Sequence, residues 1–157
     1  MPPAPPVAAL AARALAADPG QLSWTCLKGQ PGEHAVWRAD GPAAALVLKA
    51  HRHGRSFPQE LRAYQDWLPR LRAREGDDPS APTTPALRGV DLADRVLALS
   101  LAPGARLSSG THDLAAERAA HAAAGRFARA LHDLPAGDDD PVPLLDAVRT
   151  RLARALD

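Results

Sequence analysis

The feature that most constrains this chain is an apolar run closed by one lysine, Ala43-Ala44-Ala45-Leu46-Val47-Leu48-Lys49. Beyond it, Phe57, Leu61, Tyr64, Leu68 and Leu71 recur at spacings of three and four. That spacing predicts a helix over about residues 57–73 with one apolar face. Glu60 lies beside that face. A strand packed beneath such a helix brings Lys49 and Glu60 together across the layer.

A lysine in a half-buried cleft needs a carboxylate or an anionic ligand to keep its charge. At about 4 Å and an effective dielectric near 20, the ion pair attracts by roughly 4 kcal/mol. Desolvation cancels much of this, so stability alone is a weak reason for the pair. Placing an ammonium on a phosphate is a stronger one.

Around this centre the chain falls into a readable order. A proline-rich start over residues 1–6 reads as extended or disordered, and Val7 to Ala17 as a short helix ended by Asp18-Pro19-Gly20. Leu22 to Leu27, His34 to Ala39 and the Lys49 run read as three strands joined by turns at residues 28–32 and 40–42, an antiparallel meander. After the glutamate helix comes a polar loop over residues 75–82. Ala86 to Val90 and Arg95 to Leu99 then form a hairpin through Asp91-Leu92-Ala93-Asp94. Leu101-Ala102-Pro103-Gly104 breaks the pattern. Beyond it only helices are expected, from about His112 to Leu134 and from Leu144 to Leu156, with Leu114, Ala120, Ala124, Phe127 and Leu131 near one face of the longer one. The fold class is therefore α+β, with the lobe boundary at the Pro103-Gly104 hinge.

Composition excludes several function classes. A net charge of +1 with dispersed basic residues gives no field for nucleic acid or a membrane surface. The single cysteine, Cys26, cannot form an internal disulfide, which suits a reducing cytoplasm, and it reads as a small buried hydrophobe in a strand. The amino terminus lacks a signal peptide's charged region, and no apolar stretch is long enough to span a bilayer. The six histidines form no set with zinc spacing; His51 and His53 alternate in a loop.

Five segments in order resemble the aminoglycoside phosphotransferase family of the protein-kinase-like fold. Val36-Trp37-Arg38-Ala39 resembles its second-strand segment, and Val47-Leu48-Lys49 its third-strand lysine motif. Phe57-Pro58-Gln59-Glu60-Leu61-Arg62-Ala63-Tyr64 resembles its glutamate helix. Val96-Leu97-Ala98-Leu99-Ser100-Leu101-Ala102-Pro103-Gly104 resembles the strand that runs into its hinge, and residues 124–135 the helix ending in Leu-His. The likeness covers residues 22–157. It implies a nucleotide-binding amino-terminal lobe over residues 7–100, a hinge at 101–104 and the opening helices of a second lobe over 105–157.

The resemblance also implies roles. Lys49, oriented by Glu60, would hold the ATP phosphates. Val36 and Val47 would form the apolar ceiling over adenine, and Leu99 would lie at the back of the pocket. Backbone groups from Ser100 to Ala102 would bond the adenine edge. Gly29 and Gly32 would let amides close on a phosphate. The family's His-Gly-Asp loop and its metal-binding aspartate motif do not occur in this sequence. His112-Asp113 and His132-Asp133 lack the glycine and the downstream asparagine, and Asp138-Asp139-Asp140 could bind a cation, although an acidic run in a Gly/Pro loop is more often a solvated turn. The expectation is an ATP-binding half of a small-molecule kinase that does not transfer phosphate by itself, Mg2+ and the acceptor belonging to a complete relative. A non-enzymatic nucleotide-binding or interaction module, or a degenerate fragment, are the alternatives.

Overall fold

The computed structural model of the chain describes residues 3–29, 35–52, 54, 56–75, 84–102 and 113–135. Its centre is a five-stranded antiparallel sheet in the order β1-β2-β3-β5-β4. The strands are β1 (Ser23–Lys28), β2 (Ala35–Asp40), β3 (Ala45–Ala50), β4 (Leu87–Asp91) and β5 (Val96–Ser100). The first three form the expected meander, and β5 then pairs with β3 and carries β4 outward.

Period-two alternation divides this sheet into two unlike faces. Trp37, Ala39, Leu46, Leu48, Val96 and Ala98 point to one side and pack against Val7, Leu10 and Ala11 of helix α1 (Pro5–Leu15). Leu48 and Ala11 are wholly excluded from solvent. Gly89 belongs to this contact: a Cβ there would stand 3.2 Å from Leu10 Cδ1, so the helix can lie close on β4 only over glycine. Pro5 and Pro6, expected in the extended start, instead form the first turn of α1. Their fixed φ and missing N–H suit a helix's first positions, where donors are unpaired anyway.

Phe57, Leu61 and Tyr64 cover part of the opposite face, over Val47, Leu97 and Leu99. They belong to a helical rod that the sequence presents as continuous. The structure divides it into α2 (Phe57–Arg62), a π-helical segment (Ala63–Trp67) and α3 (Leu68–Glu75). The wider turn starts three residues after Glu60. π-Segments recur at functional sites.

Cys26 is exposed, not buried as expected. α1 lies over β3, β4 and β5, while β1 is the sheet's edge, away from that helix. The Cys26 thiol instead lies 3.4 Å from the Gly29 carbonyl oxygen.

After the sheet, α4 (Leu114–His132) is capped by Asp113, whose Oδ1 accepts from the Ala116 amide at 2.6 Å. None of its residues is buried. Ala120, Ala123, Phe127, Ala130 and Leu131 are half-buried, whereas Ala124 and Leu114 face solvent. Arg74 on α3 donates to the Asp133 carbonyl at 2.8 Å, and Arg70 donates to the carbonyl of Pro135, which ties the end of α4 to α3. The expected helix over 144–156 and hinge residues Pro103 and Gly104 lie outside the described residues. Among the described residues, no helix is long and apolar enough to cross a membrane.

Candidate nucleotide site

Antiparallel register sets the site. Val36 stands across from Lys49, and Lys49 across from Leu97, while Arg38, Val47 and Leu99 form the next row along the same face. These two rows lie on the face opposite the residues that pack against α1. α2 crosses beside them and brings Glu60 against Lys49, with Oε1 accepting from Nζ. Both side chains are partly exposed, so the pair is reachable by a ligand.

Lys49 stands between two cavities. One, about 370 Å³, is lined by Leu27, Arg38, Val47, Tyr64, Pro85, Leu99, Ser100, Leu101 and Ala102 together with Lys49. The other, about 310 Å³, is lined by Lys28, Ala35, Val36, Ala50, His51, Ser56 and Glu60, again with Lys49. The first is mainly apolar, and the second gathers cations and hydroxyl around one carboxylate.

The sequence-predicted residues divide between these spaces. Val47, Leu99, Ser100 and Ala102 line the apolar cavity, Glu60 and Val36 the polar one, and Lys49 both. Val36 and Val47 share a sheet face but open into different cavities. The Ser100 amide donates to the Ala86 carbonyl at 2.8 Å and its hydroxyl accepts from the Ala86 amide at 2.8 Å. The exposed backbone at this edge is therefore that of Leu101 and Ala102. Gly29 ends β1 with φ 92°, a left-handed conformation that glycine adopts without steric cost. Gly32 lies outside the described residues.

Three residues of the site were not singled out from sequence. Arg38 donates to both Asp40 oxygens, through Nε at 2.8 and 2.9 Å and through Nη2 to Oδ1 at 2.6 Å. The hydrogen bonds and charge of Asp40 raise the guanidinium's already high pKa, so Arg38 is a permanent cation on the cavity wall. Tyr64 enters the same cavity from the π-segment, and burial first, then the Glu60 charge, pushes its phenol up. His51, buried one residue beyond β3, lies with Nε2 3.2 Å from Glu60 Oε2. The alternation of β2 points to Arg38 and the helical spacing to Tyr64; nothing local marks His51.

Among the described residues, no group of three His, Cys, Asp or Glu side chains could hold an ion. Asp113 caps α4, and the Asp133 carboxylate lies 4.0 Å from Arg129. This donor set does not fit magnesium.

A five-stranded antiparallel sheet with an inward lysine on its third strand, paired to a helix glutamate, defines the amino-terminal lobe of a kinase-like fold. The sequence pattern of the APH phosphotransferase enzyme family matches residues 29–157, and the chain belongs to that family. No curated protein and no solved structure matches the chain.

Proposed function

We propose that this chain is the ATP-binding portion of a phosphotransferase whose reaction moves the γ-phosphate to a hydroxyl of a small molecule. The observation that carries the reading is the position of Lys49, held by Glu60 on the wall shared by an apolar cavity and a more polar one that gathers charged side chains. A nucleotide has the same division, a flat apolar base on one side and anionic phosphates on the other. Val47 and Leu99 supply a surface for the base, with the Leu101 and Ala102 backbone at its edge. Lys49, Lys28 and Ser56 face the space for phosphates. The lysine takes phosphate oxygens, and the glutamate fixes where it points.

Transfer also needs magnesium and an in-line acceptor, and the described residues supply neither. Binding is therefore the activity assigned to residues 1–157, and the acceptor is a small molecule of the class that the family phosphorylates. Calorimetry with ATP and adenosine tests the reading. ATP is expected to bind with a Kd of roughly 0.1–1 mM, about 4–5.5 kcal/mol. Lys49→Ala is expected to weaken ATP about tenfold and adenosine less than about twofold, since it removes a phosphate contact and spares the base cavity. Equal losses for both ligands would overturn the assignment of Lys49 to phosphate.

A further inference from the structure

Among the described residues, His51 is the one polar residue that is buried, at 7% exposure. The strand that delivers Lys49 also delivers His51, two residues on. Its amide donates to the Arg95 carbonyl at 3.0 Å, and its ring meets Phe57 edge-on with centroids 5.4 Å apart. Nδ1 lies 3.4 Å from Ser56 Oγ. Nε2 lies 3.2 Å from Glu60 Oε2, within ion-pair distance. The Glu60 carboxylate is thus divided between two cationic or donor groups, Oε1 on Lys49 and Oε2 on His51.

We infer that His51 is a positioning residue for nucleotide phosphates, holding the second oxygen of Glu60 so that the first keeps the Lys49 ammonium on the wall between the two cavities. This rests on the nucleotide reading above. An ammonium carries three donors, and a carboxylate with one oxygen unoccupied can turn to offer it both. That turn would draw Lys49 toward α2 and away from a ligand. An imidazole on Oε2 opposes it. A carboxylate can only accept, so the one facing Nε2 favours the ring proton there, and the Ser56 hydroxyl can then donate to Nδ1. Lys28 lines the same cavity from β1 but is exposed, so it adds charge without the constraint that burial gives His51.

The test uses the whole chain, with ATP and adenosine as calorimetric probes and nitrogen-resolved NMR of the imidazole in the ligand-free protein. His51→Leu is expected to weaken ATP about five- to tenfold, with adenosine changed less than about twofold. His51→Gln, whose amide can donate from near the Nε2 position, should recover ATP binding to within about threefold of wild type. Ser56→Ala leaves the buried ring in place and should weaken ATP about two- to threefold, which keeps the test open if His51→Leu fails to fold. In the wild type the Nε2–H proton should be protected from exchange, and Glu60→Ala should abolish that protection. Wild-type ATP affinity in His51→Leu, or equal ATP losses in the Leu and Gln variants, would overturn the inference, as would a proton resident on Nδ1. If the wild type binds no ATP the nucleotide reading falls, and the spectra still decide whether His51 holds Glu60.

Discussion

Arg38 stands directly across from Val47 in the β2–β3 ladder, so a guanidinium clamped by Asp40 lines the cavity whose floor Val47 helps to form. The clamp uses Nε and Nη2 and fixes the plane of the group. Arg38 lines this cavity, and long cationic side chains commonly lay their methylene stems on apolar surface.

If the stem is what a base meets, Arg38→Met should keep adenosine affinity within about twofold, and Arg38→Ala should lose about two- to fivefold. Calorimetry with adenosine checks this. Equal losses in both variants would assign the contact to the charge.

Stability should depend on the face that α1 covers. Leu48 is fully buried between β2, β5 and α1, and Leu48→Ala should cost about 2–5 kcal/mol, the range for a core leucine replaced by a cavity. Leu92 in the β4–β5 turn is 66% exposed, and Leu92→Ala should stay within about 0.5 kcal/mol. Urea titrations with an unchanged slope would read both values directly.

Tyr64 is the single tyrosine, so phenolate absorbance reports this residue alone. Burial and the Glu60 carboxylate raise its pKa in the folded state above the ordinary value of about 10. A raised folded pKa means the neutral phenol is favoured by folding. The resulting stabilisation is complete below about pH 10 and lost as pH rises through the folded value. The alkaline limb of the stability profile should flatten in Tyr64→Phe. Glu60→Gln should lower the spectroscopic midpoint only in part, because burial remains the larger cause.

Much of this was legible in the sequence. The lysine strand, the glutamate helix and their meeting follow from two periodicities, and all five strands lie within a residue or two of their expected places. What was hidden depends on tertiary coverage. Cys26 has the composition of a core position and lies on the sheet's edge strand, beyond the strands that α1 covers. His51 sits in what reads as a loop, and its burial comes from the way Phe57 and Glu60 fold over it. The π-segment is invisible because a spacing of three and four tolerates one inserted residue. Arg38 and Asp40 look like surface charges until the register sets them beside Val47.

α4 shows the reverse case, a helix whose pattern was clear and whose packing is thin. With no buried residue, and two arginine contacts holding its end, it should open more readily than the sheet. Amide exchange should be faster across Leu114–His132 than across β2 and β3. Equal protection would mean that α4 is held by more than these contacts.

The last expectation concerns chemistry. A lysine on the phosphates can bind a nucleotide, but transfer requires metal across the β- and γ-phosphates and a hydroxyl in line with the γ-phosphorus. The sequence has no His-Gly-Asp loop to orient that hydroxyl. The two aspartates nearest to such a motif are otherwise engaged, Asp113 at the start of α4 and Asp133 at its end. Losing a positioned catalytic group of this kind costs about 3 kcal/mol or more. A protein of residues 1–157 should therefore show no phosphorylation of aminoglycosides or other small alcohols with Mg-ATP, under conditions where calorimetry still detects ATP. Supplying a segment that carries a His-Gly-Asp loop and a metal-binding aspartate should restore turnover. Phosphate transfer by residues 1–157 alone, abolished by Lys49→Ala, would show that the catalytic groups lie in this chain after all.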